Sequence, residues 1–233
     1  MTRRTANNAP RLTRRDRRIV EHVIRYRLST NGVIRDLFFS GQQPNAVSKI
    51  TARLCDWGYL NKFPHVHPRS YFLPGPRVVQ EFGIPLTRTH PLGPQSLPTE
   101  YGVLAYATHG QRMLKRLTAE EIRSGYPAFA KAWLDAPHCL NESDRRPVLE
   151  LIRVDLGGTA DHVARKCTTD LAQRMAIVEC RRLIETQQYR FVIVTGTLGK
   201  ATAITNALTA HAWPNGFPIH LVAISDLLPL LPR

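Results

Sequence analysis

The sequence predicts an α+β protein of two domains, the second of which is an α/β domain with a mixed sheet. Three observations support this fold class. Prolines and glycines interrupt the pattern across residues 84–98. Apolar residues recur at helical spacing before that stretch, and apolar strands alternate with helices after it. We therefore predict a basic arm at 1–12, a helical domain at 13–83, a linker at 84–98 and the α/β domain at 99–233.

Three helices are predicted in the first domain. Thr13 is an N-cap for RRDRRIVEHVIRYR, whose apolar residues form one stripe. Ser29 or Thr30 caps a second, short helix in LSTNGVIRDLFF. Pro44 stands in the first turn of a third helix, QPNAVSKITARLCDWG, and Gly58 supplies its C-terminal stop.

A hairpin is predicted after the third helix. The stretches YLNKF and SYFL are rich in aromatic residues and are separated by PHVHPR, which has two prolines and a basic tip. The segment PGPRVVQEFG then predicts a closing helix. Three helices followed by a basic hairpin are typical of a winged helix-turn-helix domain, so this is the fold we expect for the first domain.

The overall charge indicates a polyanionic partner. The chain has 32 Lys and Arg residues against 18 Asp and Glu, a formal net charge of +14. Nucleic acid is the leading candidate and a membrane surface the alternative. Apolar runs are shorter than the roughly 20 residues of a spanning helix, and the N-terminus lacks the apolar centre of a signal peptide. We expect a cytoplasmic protein that does not associate with membranes.

The third helix and the hairpin provide the candidate DNA contacts. In winged-helix domains the third helix enters the major groove, while the wing touches the backbone or the minor groove. Amide and hydroxyl side chains on its outer face can read base edges, and cationic ones can reach guanine or phosphate. Arginines in the first turn of a helix oppose its dipole and favour a nearby anion. The predicted DNA-binding residues are Arg14, Arg15, Arg18, Asn45, Ser48, Lys49, Arg53, Lys62, His65, His67 and Arg69.

The second domain shows alternating helical and extended patterns. The stretch PHCLNESDRRPVLELIRVDLGG predicts a strand, a polar turn and a longer strand. One long helix is predicted over TADHVARKCTTDLAQRMAIVECRRLIE. A buried strand, FVIVT, then enters another helix, and FPIHLVAIS predicts a last strand. The four cysteines are widely spaced, and no Cys/His pattern suggests a metal site, so we expect reduced thiols, no metal and no cofactor.

The stretch FVIVTGTLGKAT has some features of a phosphate-binding loop. Such a loop needs four residues between its first glycine and the Gly-Lys pair, followed by Ser or Thr. Only two residues separate Gly196 from Gly199, and Ala201 follows Lys200. We interpret this stretch as a strand-to-helix turn. Binding of some other anion by the helix N-terminus remains open.

The strand order also suggests the skeleton of a PD-(D/E)xK nuclease, which needs carboxylates and a lysine around magnesium. The candidate residues are Glu150, Asp155 and Lys200. Glu150 and Asp155 are five positions apart, which predicts opposite faces of a strand. His138 stands where the first carboxylate is expected, and Arg153 stands at a second position that calls for an acid.

Four stretches together resemble the replication-relaxation family of plasmids and other mobile elements: RLTRRDRRIVEHVIRYRLST, AVSKITARLCDWGYLNKF, LIRVDLGGTADHVARKC and FVIVTGTLGKATAI. The resemblance implies DNA binding in replication or transfer, with a nuclease-like second domain. The chain departs from the family pattern at Arg153 and His138, so we expect no cleavage activity.

The sequence therefore predicts a sequence-specific double-stranded DNA-binding protein, not an enzyme, that regulates transcription or the replication or transfer of a mobile element. A homodimer on two half-sites is expected. A metal-dependent nuclease delivered by the winged helix is the alternative. Non-specific coating of DNA is a third possibility, and it predicts strong salt dependence with little sequence preference.

Overall fold

A computed structural model describes residues 11–66, 69–109, 113–143, 146–211, 213–214 and 216–231. Most of the predicted basic arm lies outside these residues. The chain divides into two compact units, Met1–Pro91 and Leu92–Arg233, which we call the N-terminal unit and the C-terminal unit. The division falls within the segment that the sequence predicts to be a linker.

The N-terminal unit contains helices and a small antiparallel sheet. Thr13 caps the first helix and forms a capping box with Asp16, in which each side chain accepts the other residue's backbone N–H. Thr30 caps the second helix. The elements, in chain order, are α1 (Arg14–Tyr26), β1 (Ser29–Thr30), α2 (Asn31–Phe38), α3 (Pro44–Asp56), β2 (Leu60–Pro64), β3 (Ser70–Pro74), α4 (Pro76–Phe82) and a 3₁₀ turn, Leu86–Thr89.

The three predicted helices and the hairpin of this unit are confirmed, but the sequence did not reveal β1. This two-residue strand pairs with β3, so the sheet order is β1-β3-β2. Gly58 has a φ of 75°, which explains why glycine ends α3. The core of the unit lies between the helices and the sheet and includes Ile19, Ile34, Leu54 and Phe72.

The C-terminal unit is built around a mixed five-stranded sheet of order β4-β5-β6-β7-β8. Strand β5 is antiparallel to β4 and β6, whereas β6, β7 and β8 are parallel. The elements are α5 (Ser96–Ala107), β4 (Lys115–Arg116), α6 (Ala119–Gly125), α7 (Pro127–Trp133), β5 (His138–Asn141), β6 (Val148–Val154), α8 (Ala160–Met175), α9 (Val178–Glu185), β7 (Tyr189–Thr195), α10 (Leu198–Ala210), β8 (Ile219–Ala223) and a 3₁₀ turn, Ser225–Leu230.

The prediction of one long helix before β7 was wrong, because α8 ends at Met175 and α9 begins at Val178. Ile177 adopts extended dihedral angles, φ −101° and ψ 122°, between them. Along α8 the buried positions end with Leu171 and Arg174, so a continuous helix would bury position 178. Val178 is instead 71% exposed. The apolar residues of α9 therefore do not continue the apolar stripe of α8. The sequence pattern did not reveal this break.

The linker prediction also needs a correction, since α5 already begins at Ser96, within residues 84–98. Pro98 lies in the first turn of α5, where a missing backbone N–H removes no intrahelical hydrogen bond. Helix α5 packs closely on β6. A Cβ at Gly102 would lie 2.7 Å from a methyl group of Val154, so this contact requires glycine.

The two sides of β6 face different surroundings. Leu149 and Leu151 join a core that contains Cys167 of α8 and Ile204 of α10. Glu150, between them in sequence, contacts α5. This alternation follows from the two-residue period of a strand and fixes which side chains can meet at the end of β6.

Candidate nucleic-acid interface

Helix α3 presents one buried face and one exposed face. Val47, Thr51 and Leu54 are buried. The Thr51 hydroxyl donates to Asn31 Oδ1, 3.1 Å away, and so joins α3 to the start of α2. These contacts leave the opposite face of α3 turned to solvent.

Three of the predicted DNA-reading residues lie together on this exposed face. Asn45, Ser48 and Lys49 are all exposed. Positions three and four apart are neighbours on a helix surface, so an amide, a hydroxyl and an ammonium group form one short strip. We call Asn45, Ser48 and Lys49 the α3 strip. Its groups can donate to and accept from base edges, and Lys49 can reach phosphate.

Arg53 differs from the α3 strip because it has an intramolecular partner. Its guanidinium lies 2.7 Å from Oδ1 of Asp16, whose side chain is fully buried, and 4.8 Å from the centre of the Trp57 ring. The sequence placed Arg53 among the residues that contact DNA. In the structure it neutralises a buried carboxylate and ties α3 to α1, and 41% of its side chain is still exposed.

Arginines at the start of α1 lie over aromatic rings at the end of α2. The guanidinium of Arg15 is 4.5 Å from the centre of the Phe39 ring, and that of Arg18 is 5.5 Å from the Phe38 ring. The Phe39 carbonyl accepts from Gln42 N, 2.9 Å away, in the turn that leads into α3. The basic residues of α1 therefore lie beside the turn before the α3 strip. Arg14 is exposed one residue earlier.

The expected conflict between these arginines and the helix dipole is reduced by Asp16. This carboxylate lies in the first turn of α1 and completes its capping box. A negative charge at this position stabilises the helix N-terminus. The sequence prediction of an opposed dipole did not take this buried acid into account.

The hairpin tip contains the remaining predicted contacts. Lys62 on β2 and Arg69 beside β3 are exposed, and the tip is closed by the hydrogen bond from His65 N to Arg69 O, 3.1 Å long. His65 is half-buried, with its ring edge-on to Tyr71 at 6.2 Å. This packing makes His65 a weaker candidate for a phosphate contact than Lys62. His67 lies outside the described residues.

Two further polar residues belong to the same surface but were not predicted. Gln42 and Gln43 are exposed in the turn before α3, and Gln43 is the N-cap of that helix. A pair of amides directly before a proline-led helix is the sequence signal that could have identified them. Both side chains lie at the end of α3 that leads into a groove in winged-helix domains.

In the C-terminal unit, Glu150 is fully buried in a hydrogen-bond network. Its carboxylate accepts from Tyr106 Oη at 2.9 Å, from Asn141 Nδ2 at 3.0 Å and from Arg190 Nε at 2.9 Å. Burial and the neighbouring carboxylate raise the pKa of Tyr106, so its hydroxyl stays protonated and donates. The network satisfies Glu150 internally.

Asp155 has different partners from Glu150, at the end of β6. One oxygen accepts from Gly157 N at 3.1 Å, and the other lies 3.7 Å from Lys200 Nζ. Lys200 also donates to the Gly158 carbonyl. The structure thus brings together Asp155 and Lys200 of the alternative nuclease set, while Glu150 is held on the α5 side of the sheet. Across the described residues, His, Cys, Asp and Glu form no cluster of three or more that could hold a metal ion.

Two other positions of the nuclease comparison have packing roles. His138 is buried, and its Nδ1 lies 3.0 Å from the Ala136 carbonyl. Burial, together with the nearby Arg174, lowers the pKa of His138 from 6.5 to about 3, so the ring is neutral. Arg153 forms an ion pair with Asp170 of α8.

The turn between β7 and α10 is short and has a packing reason for its first glycine. A Cβ at Gly196 would lie 2.5 Å from a methyl group of Leu228, in the C-terminal 3₁₀ turn. Thr197 caps α10, and its hydroxyl accepts from Lys200 N at 3.1 Å. A Cβ at Gly199 would meet no atom within 4 Å. Close packing therefore accounts for Gly196 without a bound phosphate.

Among the helices of the described residues, none combines the length and apolar character that crossing a bilayer requires. No protein-family model, no curated protein and no solved structure matches the chain.

Proposed function

We propose that the protein is a sequence-specific double-stranded DNA-binding protein that regulates transcription, or the replication or transfer of a mobile element. In this proposal the N-terminal unit is a winged helix-turn-helix domain. The observation that carries it is the α3 strip: Asn45, Ser48 and Lys49 are exposed side by side on a helix whose other face is held in the core.

The dimensions of α3 suit the major groove. Its 13 residues give a length of about 20 Å, and a B-DNA major groove about 12 Å wide accepts one helix. An asparagine can bond adenine through two contacts, and a lysine can bond guanine or phosphate. The α3 strip would supply base readout, while Arg14, Arg15 and Arg18 would bind backbone phosphates beside it.

The hairpin of β2 and β3 would act as the wing. Lys62 and Arg69 are its exposed cations, and each would add a phosphate contact. Contacts of this kind strengthen binding to every sequence and make it depend on salt. Specificity would therefore come from α3, and much of the affinity from α1 and the wing.

The protein would work as a homodimer on two half-sites, as winged-helix regulators commonly do. The C-terminal unit would provide the pairing surface or bind a partner. Measuring the mass of the free protein and of its complex with duplex tests this part, and a single protomer on an isolated site would contradict it.

The main experiment selects duplexes from a random pool with the full chain at near-physiological salt, and then measures binding by fluorescence anisotropy. Asn45→Ala should relax the preference at one base pair and cost about 1–3 kcal/mol of discrimination there. Lys49→Ala should weaken binding. Arg165→Ala is the matched control, because it removes an exposed cation from a helix of the C-terminal unit and should leave duplex binding unchanged.

Two results would contradict the proposal. Equal affinity for every duplex, with a steep salt dependence, would favour non-specific coating of DNA. Equal losses for Lys49→Ala and Arg165→Ala would mean that total charge, and not the α3 strip, decides binding.

The alternative nuclease function has one supporting contact, the approach of Lys200 to Asp155. Magnesium-dependent cutting of the selected duplex that disappears with EDTA and in Asp155→Asn would support it. Intact DNA with and without magnesium would leave the regulator as the explanation.

A further inference from the structure

A small cleft opens at the end of β6 in the C-terminal unit. Its volume is about 250 Å³, below the roughly 300 Å³ at which pockets for drug-sized ligands begin. Arg153 and Asp155 line it from the strand side, and His162 and Lys166 line it from α8. A cleft of this size suits a small polar group.

Beside the cleft, positive charge exceeds negative charge. Arg153 and the fully buried Arg174 both lie beside one carboxylate, that of Asp170. Nε of Arg153 is buried and has no hydrogen-bond partner in the described part of the chain. His138 is neutral, so it adds no charge. A buried charge that is not fully compensated is costly, and an anion in the cleft would reduce that cost.

The helix side of the cleft adds two more groups that favour an anion. His162 and Lys166 are exposed and lie one turn apart near the start of α8, so they share a face. Helix α8 has 16 residues, and the N-terminus of a helix carries partial positive charge. His162 and Lys166 therefore line the same cleft as Arg153.

The acidic group that lines the cleft is already compensated. Asp155 accepts from Gly157 N and lies 3.7 Å from Lys200 Nζ. Cys167, which also lines the cleft, is buried, and burial raises the pKa of its thiol and keeps it neutral. The remaining charged lining groups, Arg153 and Lys166, are cationic.

We propose that this cleft binds a phosphate group with at least two free oxygens, as in inorganic phosphate or a phosphate monoester. Arg153 and Lys166 approach it from different elements, and an anion with several oxygens can accept from both. The phosphate can belong to a free nucleotide or to the 5′ end of a nucleic acid strand. This site is separate from the α3 strip and does not depend on duplex binding by α3.

The test uses calorimetric titration of the full chain with inorganic phosphate. Lys166→Ala should weaken phosphate binding about tenfold, because it removes one charge-assisted hydrogen bond. Lys166→Arg should restore most of it. Arg165→Ala is the matched control, since Arg165 is exposed on the same helix and is not among the residues that line the cleft. It should bind phosphate like the unsubstituted protein.

Two further titrations distinguish the sources of the phosphate. Tighter binding of a 5′-phosphorylated single-stranded oligonucleotide than of the same strand with a 5′-hydroxyl would identify a nucleic acid end. Tighter binding of AMP than of either strand would identify a free nucleotide. Arg153 is not substituted, because its loss would leave Asp170 in the core with one partner fewer.

The proposal is wrong if the unsubstituted protein binds no phosphate, or if Lys166→Ala and Arg165→Ala weaken binding equally. The second result would mean that the net charge of the chain attracts the anion without a site. Binding of a duplex without terminal phosphates separates the two proposals, since Lys166→Ala should retain it and Lys49→Ala should not.

Discussion

The two units treat their charged residues in opposite ways. In the N-terminal unit, arginines of α1 lie at the surface over aromatic rings, and Asp16 is the buried carboxylate among the described residues. In the C-terminal unit, the side chains of Glu150 and Arg174 are fully buried, although they do not pair with each other. Glu100 and Arg116 form a buried ion pair. The arginines at the start of α1 are thus at the surface, whereas several cations of the C-terminal unit are paired in its interior.

This difference shows that a high net charge does not by itself identify a binding surface. A cation whose partner is a buried carboxylate mainly stabilises the fold, and its removal affects stability before binding. An exposed cation contributes little to stability and can bind an external anion. The comparison therefore predicts large stability effects in the C-terminal unit and small ones on the surface of the N-terminal unit.

The largest effect is expected for Glu150→Ala. The substitution leaves Arg190 without its carboxylate and removes an acceptor from Tyr106 and Asn141. Breaking a buried ion pair by removing one partner costs about 3–5 kcal/mol. Hydrogen exchange followed by mass spectrometry measures the stability of each unit separately in the full chain. The loss of protection should therefore appear in peptides of the C-terminal unit.

Glu150→Gln is the graded control for this prediction. Its amide oxygen can still accept a hydrogen bond while the negative charge is absent, so the loss of stability should be intermediate. A change below about 1 kcal/mol for Glu150→Ala, the level of an exposed pair, would contradict the view that this unit depends on its buried charges.

The second effect concerns pH and sharpens the comparison, because each unit buries one neutral histidine. Burial lowers the pKa of His22 from 6.5 to about 4, and that of His138 from 6.5 to about 3. The unfolded chain thus takes up a proton at a pH where the folded ring does not. Stability from the neutral ring is complete above about pH 6.5 and is lost as the pH falls towards about 4 for His22 and about 3 for His138. For His22 the loss corresponds to about 3 kcal/mol.

A glutamine at position 22 separates this effect from other acid-induced changes. His22 Nε2 lies 3.1 Å from the Ser29 hydroxyl, and a glutamine amide can form a similar hydrogen bond without titrating. Between pH 6.5 and 4 the N-terminal unit of His22→Gln should lose less stability than the unsubstituted unit, as measured by hydrogen exchange. Identical pH profiles would show that His22 does not control its acid stability.

Sequence patterns predicted the parts of this fold that depend on local interactions. The caps at Thr13 and Thr30, the apolar stripes of α1 and α3, and the hairpin all involve residues close in the chain, and the structure confirms them. The sequence also predicted the mixed sheet, because helices alternate with strands in the second half. Binding of DNA by the predicted residues is still a prediction.

Features that depend on distant residues could not be predicted. Arg53 meets Asp16 across 37 positions, and Arg190 meets Glu150 across 40. Strand β1 has two residues and no alternation of its own, so only its pairing with β3 identifies it. For the same reason, the sequence could not show that Arg53 pairs with Asp16, since that partner lies on another helix; contact of Arg53 with DNA stays a prediction.

The smallest effect is expected at Asp16. Like Glu150 of the C-terminal unit, Asp16 is a buried carboxylate that pairs with an arginine. Asp16→Ala removes the capping box of α1 and the carboxylate that Arg53 contacts at 2.7 Å. Thr13 still caps the helix, so losing the reciprocal half of the capping box costs at most about 1 kcal/mol. A lost hydrogen bond to a charged group adds a similar amount or more, so the unit should lose about 2 kcal/mol. Arg53 remains partly exposed and can be solvated, which keeps the cost below that of Glu150→Ala.

Glu21→Ala is the matched control on the same helix. The pair of Glu21 with Arg17 is 3.8 Å long and about half exposed on both sides, and such pairs contribute at most about 0.5 kcal/mol. If hydrogen exchange gave equal losses for the two variants, the burial of Asp16 would have no energetic consequence, and Arg53 would again be a candidate for direct contact with DNA.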